Sequence, residues 1–311
     1  MTTTSDELHR VHRAAQLYYE EGATQAEVAA ELGISRSSVS RMLSEARRLG
    51  IVEIQVRRPA AGGVESLGRE LAEALGIRRV RLAPGDQSKH VGPGLAPQAR
   101  ESLHEAGLRS GDALLVASGE TTYALAQQRL GDFSGVVVAP TVGGQAEPDP
   151  EHQTNEVVRA FTASNGGRPH YLFAPSMPSE ALAEALRDDP GYQQIIRDWE
   201  SASALLMGIG APTMTRRAIA QSVPRSHPSL ARSVGDVCLA FLDREGKEVD
   251  FPGRERFVRI PQETLRRIPV RIAAAVGGQK APSIRAAAKE CWFTTLITDE
   301  ATARAVLAAK D

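Results

Sequence analysis

The chain has 311 residues, of which 42% are apolar and 24% charged, and its formal net charge is -1. Such a composition fits a soluble globular protein with one small and one large domain. The near-neutral balance excludes a globally basic nucleic-acid binder, so any such partner has to be read from local charge.

The polar opening residues lack the apolar stretch of a secretory leader, and the longest apolar runs, near 113–117 and 135–139, are too short to span a bilayer. Two cysteines occur, Cys238 and Cys291, each in an apolar stretch, and no Cys/His cluster has zinc spacing. The expectation is a cytoplasmic protein with two buried, reduced thiols, no metal and no cofactor.

In the first sixty residues, Val11, Ala14, Ala15, Tyr18 and Tyr19 line one face of a first helix that Gly22 ends. Thr24 and Glu27 form a capping-box pattern for a second helix through Val28, Ala29 and Leu32, and Gly33 serves as its C-cap. Ser35 caps a third helix with Val39, Met42, Leu43, Ala46 and Leu49 on its apolar face. Ala29 is small where the helices cross, and Ile34 plugs the crossing. The opposite face of helix three begins with Arg36, Ser37, Ser38, Ser40 and Arg41, and from position 35 to 48 the only acid is Glu45. An arginine can bond guanine bidentately and a serine can contact base or phosphate, so this helix-turn-helix predicts major-groove binding of double-stranded DNA. A bare helical hairpin is the plainer alternative. Residues 50–56 alternate as a strand, either a wing beside the DNA or cover for the helical core, with Arg57 and Arg58 at its end. The small, turn-rich run 59–63 separates a domain at 1–58 from one at 59–311.

The larger part opens with a helix on Val64, Leu67, Leu71, Ala74 and Leu75, and then alternates. Strands are predicted at 79–82, 112–117, 136–139, 171–174, 204–209, 237–241, 272–275 and 295–298. Helices are predicted at 97–106, 123–130, 179–187, 193–201, 281–289 and 300–309. The fold class is therefore α/β, a mostly parallel sheet covered on both faces, with ligands expected at the carboxyl ends of its strands. Three loops there carry backbone-open glycines, hydroxyls and one lysine: Ser118, Gly119, Glu120, Thr121 and Thr122; then Gly143, Gly144 and Gln145; then Gly277 to Lys280. Converging, they would suit a polyol or an anion.

These motifs, in this order, resemble the SorC family of sugar-binding transcriptional regulators. The resemblance runs from the helix-turn-helix through 140–144 and 207–210 to 277–280 and 296–303. It implies an effector domain similar to sugar-phosphate isomerases, assembled as a homodimer or homotetramer, that binds a small sugar or sugar-phosphate effector. Positions matching Ser118–Thr122, Gly143, Gly144, Asp243 and Lys280 are then effector contacts. The family often has Trp-Gly-Arg-Thr or Gly-Gly-Thr-Thr in the first loop, where this chain has Ser118-Gly119-Glu120-Thr121-Thr122. A carboxylate at Glu120 would repel a phosphate, or accept hydrogen bonds from a neutral polyol. An isomerase-like enzyme is the alternative reading, with Glu120, Asp243, His152 and His170 as candidate acid/base groups and no spacing that demands catalysis. Solvated surface groups are the default for the histidines.

Overall fold

The computed structural model describes residues 5–52, 62–145, 149, 153–212 and 227–309. The chain divides into two units, Met1–Pro59 and Ala60–Asp311. The first holds α1 (Ser5–Tyr19), α2 (Gln25–Leu32) and α3 (Arg36–Arg48) around Val11, Ala14, Leu17, Val28, Ala29, Val39, Leu43 and Ala46. Val11, Ala14 and Ala15 are buried on the expected face and Tyr18 packs against it, but Tyr19 is exposed and Leu17 is buried in addition. The expected strand at 50–56 is not present as far as Val52, because the Ile51 and Val52 amides both donate to Ala46 O and extend the helix end. The rest of that segment, with Arg57 and Arg58, lies outside the described residues.

The second unit begins with α4 (Gly62–Leu75), β1 (Arg79–Ala83), α5 (Val91–Glu105), β2 (Ala113–Val116), α6 (Glu120–Ala126) and β3 (Val137–Pro140). It continues with α7 (Thr154–Asn165), β4 (Arg168–Pro169), α8 (Glu180–Leu186), α9 (Pro190–Ser201) and β5 (Ala202–Gly208). After residue 227 come β6 (Gly235–Val237), β7 (Ala240–Leu242), α10 (Gln262–Arg267), β8 (Val270–Ala274), α11 (Ala281–Lys289), β9 (Thr295–Asp299) and α12 (Glu300–Ala308).

Seven strands form one sheet in the order β1-β9-β8-β5-β2-β3-β4, and every pairing in it is parallel. Strands buried on both faces read as continuous apolar runs, and the two-residue period sorts their side chains. Leu114, Val116, Val138, Leu206 and Ile272 pack with Leu95 and Leu103 of α5, Leu125 of α6 and Phe161 of α7. Leu115, Ala139, Leu205, Met207 and Ala273 pack on the other face with Leu71 of α4, Trp199 of α9, Ile284 of α11 and Val306 of α12. The chain runs outward from β2 to β3 and β4 on one side, and from β5 to β8 and β9 on the other. The β2/β5 junction is therefore the topological switch point, where such sheets open a crevice.

Two expected strands are corrected. At 171–174 there is no strand, because the Asn155 side chain of α7 takes both backbone groups of Leu172, accepting from its N–H at 3.0 Å and donating to its carbonyl at 3.1 Å. The ladder stops at β4, and Phe173 is left 86% exposed. At 237–241 the chain turns back on itself: Cys238 and Leu239 have φ of 48° and 62°, and β6 and β7 pair antiparallel across them as a separate hairpin. Two successive positive φ values match the right-handed twist of the flanking strands, which is why such turns close two-residue hairpins. Cys238 is buried and Cys291 exposed, both as free thiols, so the expectation of two buried ones fails for Cys291. The helix expected at 97–106 begins earlier, at Val91, and carries Pro97 in its interior. α7 and α10 add to the expected helices.

Candidate functional site

In the first unit the three caps act as their residue types require. Thr24 Oγ1 accepts from the Glu27 amide while the Thr24 amide donates to Glu27 Oε2 at 2.7 Å, closing the capping box. The same backbone bond holds the Glu27 carboxyl below its usual range. Gly33 adopts a left-handed φ of 64° and turns the chain, so that Ile34 donates to Ala29 O and starts α3 at a fixed angle. Ser35 Oγ accepts from the Ser38 amide and sits 2.8 and 2.9 Å from the Ser37 and Ser38 hydroxyls.

This turn leaves Arg36, Ser37, Ser40 and Arg41 exposed, with Ser38 half-buried in the hydroxyl cluster. Ser44, not among the expected contacts, continues the face four residues beyond Ser40. Glu45, the one acid of the stretch, is matched by Arg48, which donates to both of its oxygens at 2.8 and 2.5 Å and keeps its carboxyl below the usual range. No carboxylate pairs with Arg36, Arg41 or Arg47 among the described residues. A capped helix N-terminus with exposed arginines and hydroxyls can take phosphate oxygens and reach base edges.

In the second unit, a cavity of about 480 Å³ opens at the carboxyl edge of the sheet. Its walls come from three places: the turn and first residues of α5 (Ser88 to Pro93), α6 and its end (Glu120, Thr121, Ala124, Gln127, Gln128), and the loop after β8 (Val276, Gln279, Lys280). Gly92 lets α5 lie on α6, since a Cβ there would stand 2.6 Å from Ala124 O. Of the sequence-predicted contacts, Glu120, Thr121 and Lys280 line this space. Gln145 joins them indirectly: its side-chain amide donates to Ser118 Oγ at 3.0 Å, tying the loop after β3 to the loop after β2.

The remaining predicted residues do not line this cavity. Thr122 is fully buried, its hydroxyl has no partner, and it faces the position where a Cβ on Gly208 of β5 would stand, at 3.7 Å. Gly143 and Gly144 spend their amides on Val258 O and Ala174 O, and a Cβ on Gly143 would stand 2.7 Å from Pro175 O. Gly143 permits a close backbone crossing, whereas a Cβ on Gly144 would make an ordinary contact at 3.7 Å with Ala174 O. Asp243 accepts from the Glu245 and Lys247 amides at 3.0 and 2.9 Å and closes its own turn. Gly119 has a φ of 127° that only glycine adopts freely, and it starts α6. His170 Nδ1 lies 2.7 Å from Asp198 Oδ2, whose other oxygen accepts from Gln194, so it is a paired group beside the edge strand β4 and not a solvated one. His152 lies outside the described residues.

Sequence reasoning missed Ser88, Lys89, His90, Gln127 and Gln128, which sit in a loop and at a helix end where periodicity carries no signal. The glycine pair around them, Gly92 and Gly94, was the available clue to a close approach. Among the described residues, no group of three or more His, Cys, Asp or Glu side chains could hold a metal, and no helix is long and apolar enough to cross a membrane.

Residues 61–308 match the Sugar-bind family model, a sugar-binding domain, and residues 13–49 match that of Sigma-70, region 4. The transcriptional regulator LsrR of Enterobacter sp. (strain 638) is 28% identical, across 99% of this chain and 95% of its own length. The deoxyribonucleoside regulator of Bacillus subtilis (strain 168) is also 28% identical, across 94% of this chain and 96% of its own. The crystal structure of the full-length sorbitol operon regulator SorC from Klebsiella pneumoniae superposes with a TM-score of 0.79 at 26% identity, covering 98% of this chain and all of that one.

Proposed function

The chain belongs to the SorC family of sugar-binding transcriptional regulators, and on that premise we propose that its hold on an operator is controlled by a small sugar-derived effector. The observation that carries this reading is the pairing, in one chain, of a capped helix whose exposed Arg36 and Arg41 have no carboxylate partner among the described residues with a polar cavity at the edge of a parallel sheet. Residues 1–58 are the DNA-binding domain, with Arg36, Ser37, Ser38, Ser40 and Arg41 meeting the duplex. Residues 59–311 are the sensing and assembly domain. Its cavity is a binding site and not a catalytic one, as befits relatives that are regulators. Glu120, Thr121 and Lys280 touch the effector directly, while Ser118, Gly119, Thr122, Gly143, Gly144, Gln145 and Asp243 shape the loops around it.

One helix-turn-helix grips a half-site weakly, so the working species is a homodimer or homotetramer in the cytoplasm, reading an inverted repeat with half-sites about 10–10.5 base pairs, or a multiple of that, apart. The test is selection of bound fragments from genomic DNA, followed by operator titration with and without sugars, polyols and sugar phosphates. Effector and operator must alter each other's affinity by the same factor. A chain that selects no sequence, or whose cavity ligand leaves operator affinity unchanged, would sink the reading.

A further inference from the structure

The turn between β1 and α5 is fastened far more firmly than a surface connection requires. Asp299, fully buried at the end of β9, accepts from the Gln87 amide at 2.7 Å through one oxygen and from the Thr302 amide at 2.8 Å through the other. Glu300 accepts from the Gly85 amide at 2.8 Å, and Ala301 donates back to Gly85 O. Within the turn, Asp86 accepts from the Ser88 amide, the Gln87 side chain donates to Pro84 O, and the His90 amide donates to Gln87 O. Every anchor lies at or before Gln87 or on the backbone, whereas the exposed side chains of Ser88, Lys89 and His90 line the cavity.

We propose that this turn is a ligand-contacting wall of the cavity, with Lys89 as the residue that selects an anionic group, phosphate or carboxylate, on a sugar-like ligand. The proposal rests on the reading of the cavity as the effector site. Two lysines from separate loops, Lys89 and Lys280, share the lining with a single carboxylate, Glu120, and with the amides of Gln127, Gln128 and Gln279. Side-chain amides, hydroxyls and one carboxylate suit sugar hydroxyls, and two ammonium groups suit a negative charge. The first turn of α5, which no side chain caps, lies in the same wall and adds to the positive potential. Asp86, its carboxyl held low chiefly by the Ser88 amide bond, stays ionised and offsets part of the Lys89 charge, but it lies outside the lining. A turn fixed in advance spares the ligand the cost of ordering it.

The test is calorimetric titration of the full-length chain with inorganic phosphate, and with glucose, glucose 6-phosphate and gluconate as one skeleton in neutral, phosphorylated and carboxylate form. The expected result is phosphate binding in the millimolar range that weakens about fivefold or more in Lys89→Gln, stays near wild type in Lys89→Arg, and fades as salt rises. Whichever of glucose 6-phosphate and gluconate loses affinity in Lys89→Gln identifies the anion read. A wild type that binds none of phosphate, glucose 6-phosphate and gluconate, or that binds each of them no better than Lys89→Gln, would overturn the proposal. Operator titration separates the two layers. A response to a neutral sugar that Lys89→Gln leaves intact keeps the regulatory reading and removes this one. Lys89-dependent anion binding with no response at the operator does the opposite.

Discussion

Gln145 and Ser118, 27 residues apart, are joined by a 3.0 Å hydrogen bond that ties the loops after β3 and β2 together at the open edge of the sheet. Both residues are half-buried, and the Gln145 carbonyl accepts in turn from the Gln153 side chain. Removing one partner leaves the other unsatisfied, so Ser118→Ala should cost about 0.5–1.5 kcal/mol. That is a fall of a few degrees in melting temperature for a unit of this size. The double variant Ser118→Ala/Gln145→Ala should cost less than the sum of the singles. Strict additivity in a thermal-unfolding cycle would show that the two loops are not coupled.

Arg36 is exposed at the first position of α3, with no carboxylate partner among the described residues. Arg36→Ala should therefore weaken the preferred operator by about 1–3 kcal/mol and relax preference at one base position. Footprinting that finds the same operator at unchanged affinity would move the recognition face elsewhere on the helix.

The Glu27 carboxyl is held low first by the Thr24 amide and then by the Thr24 side chain. A depressed carboxyl stabilises the folded state fully above the unfolded value, about 4.3 for glutamate, and that contribution is lost as pH falls through the lower folded value. The stability difference between wild type and Glu27→Gln should thus shrink on acidification through that window. Chemical denaturation at a series of pH values reads it, and a difference that stays constant would mean the capping box is not closed in solution.

Burial pushes the Cys238 thiol up to about 12, whereas Cys291 is exposed. The thiolate is the reactive form, so one thiol per chain should react with a disulfide reagent under native conditions near pH 8, and two after denaturation. Protection should map to Cys238 by peptide analysis. Two fast native thiols would place the β6–β7 turn in a different environment.

How far the sequence announced this structure depends on the kind of signal. Capping chemistry at Thr24, Glu27, Gly33 and Ser35 is local, and each residue does what its type implies. Buried parallel strands such as β2 and β9 are equally legible as short apolar runs between helices. The segment around Leu172 has the same composition but is claimed by the side chain of Asn155 in the preceding helix α7, an override invisible to periodicity. Cys238 and Leu239 hide a turn because neither is a turn-type residue, yet both hold positive φ. At the cavity, Glu120, Thr121 and Lys280 were legible because they follow strands. Lys89 was not, because a turn of polar residues looks the same whether it faces ligand or bulk water.

β1, the first strand of the sheet, pairs along its whole length with β9, the last, from Arg79 against Thr295 to Ala83 against Asp299. Contacts so distant along the chain cannot form until nearly all of it has left the ribosome, whereas the three-helix unit depends only on neighbours within its own fifty residues. During synthesis the helix-turn-helix can therefore fold long before the sheet closes. A nascent or prematurely terminated chain would carry a folded helix-turn-helix without the sheet, and a lone head of that kind grips a half-site only weakly, so a half-made chain is a poor competitor for the operator.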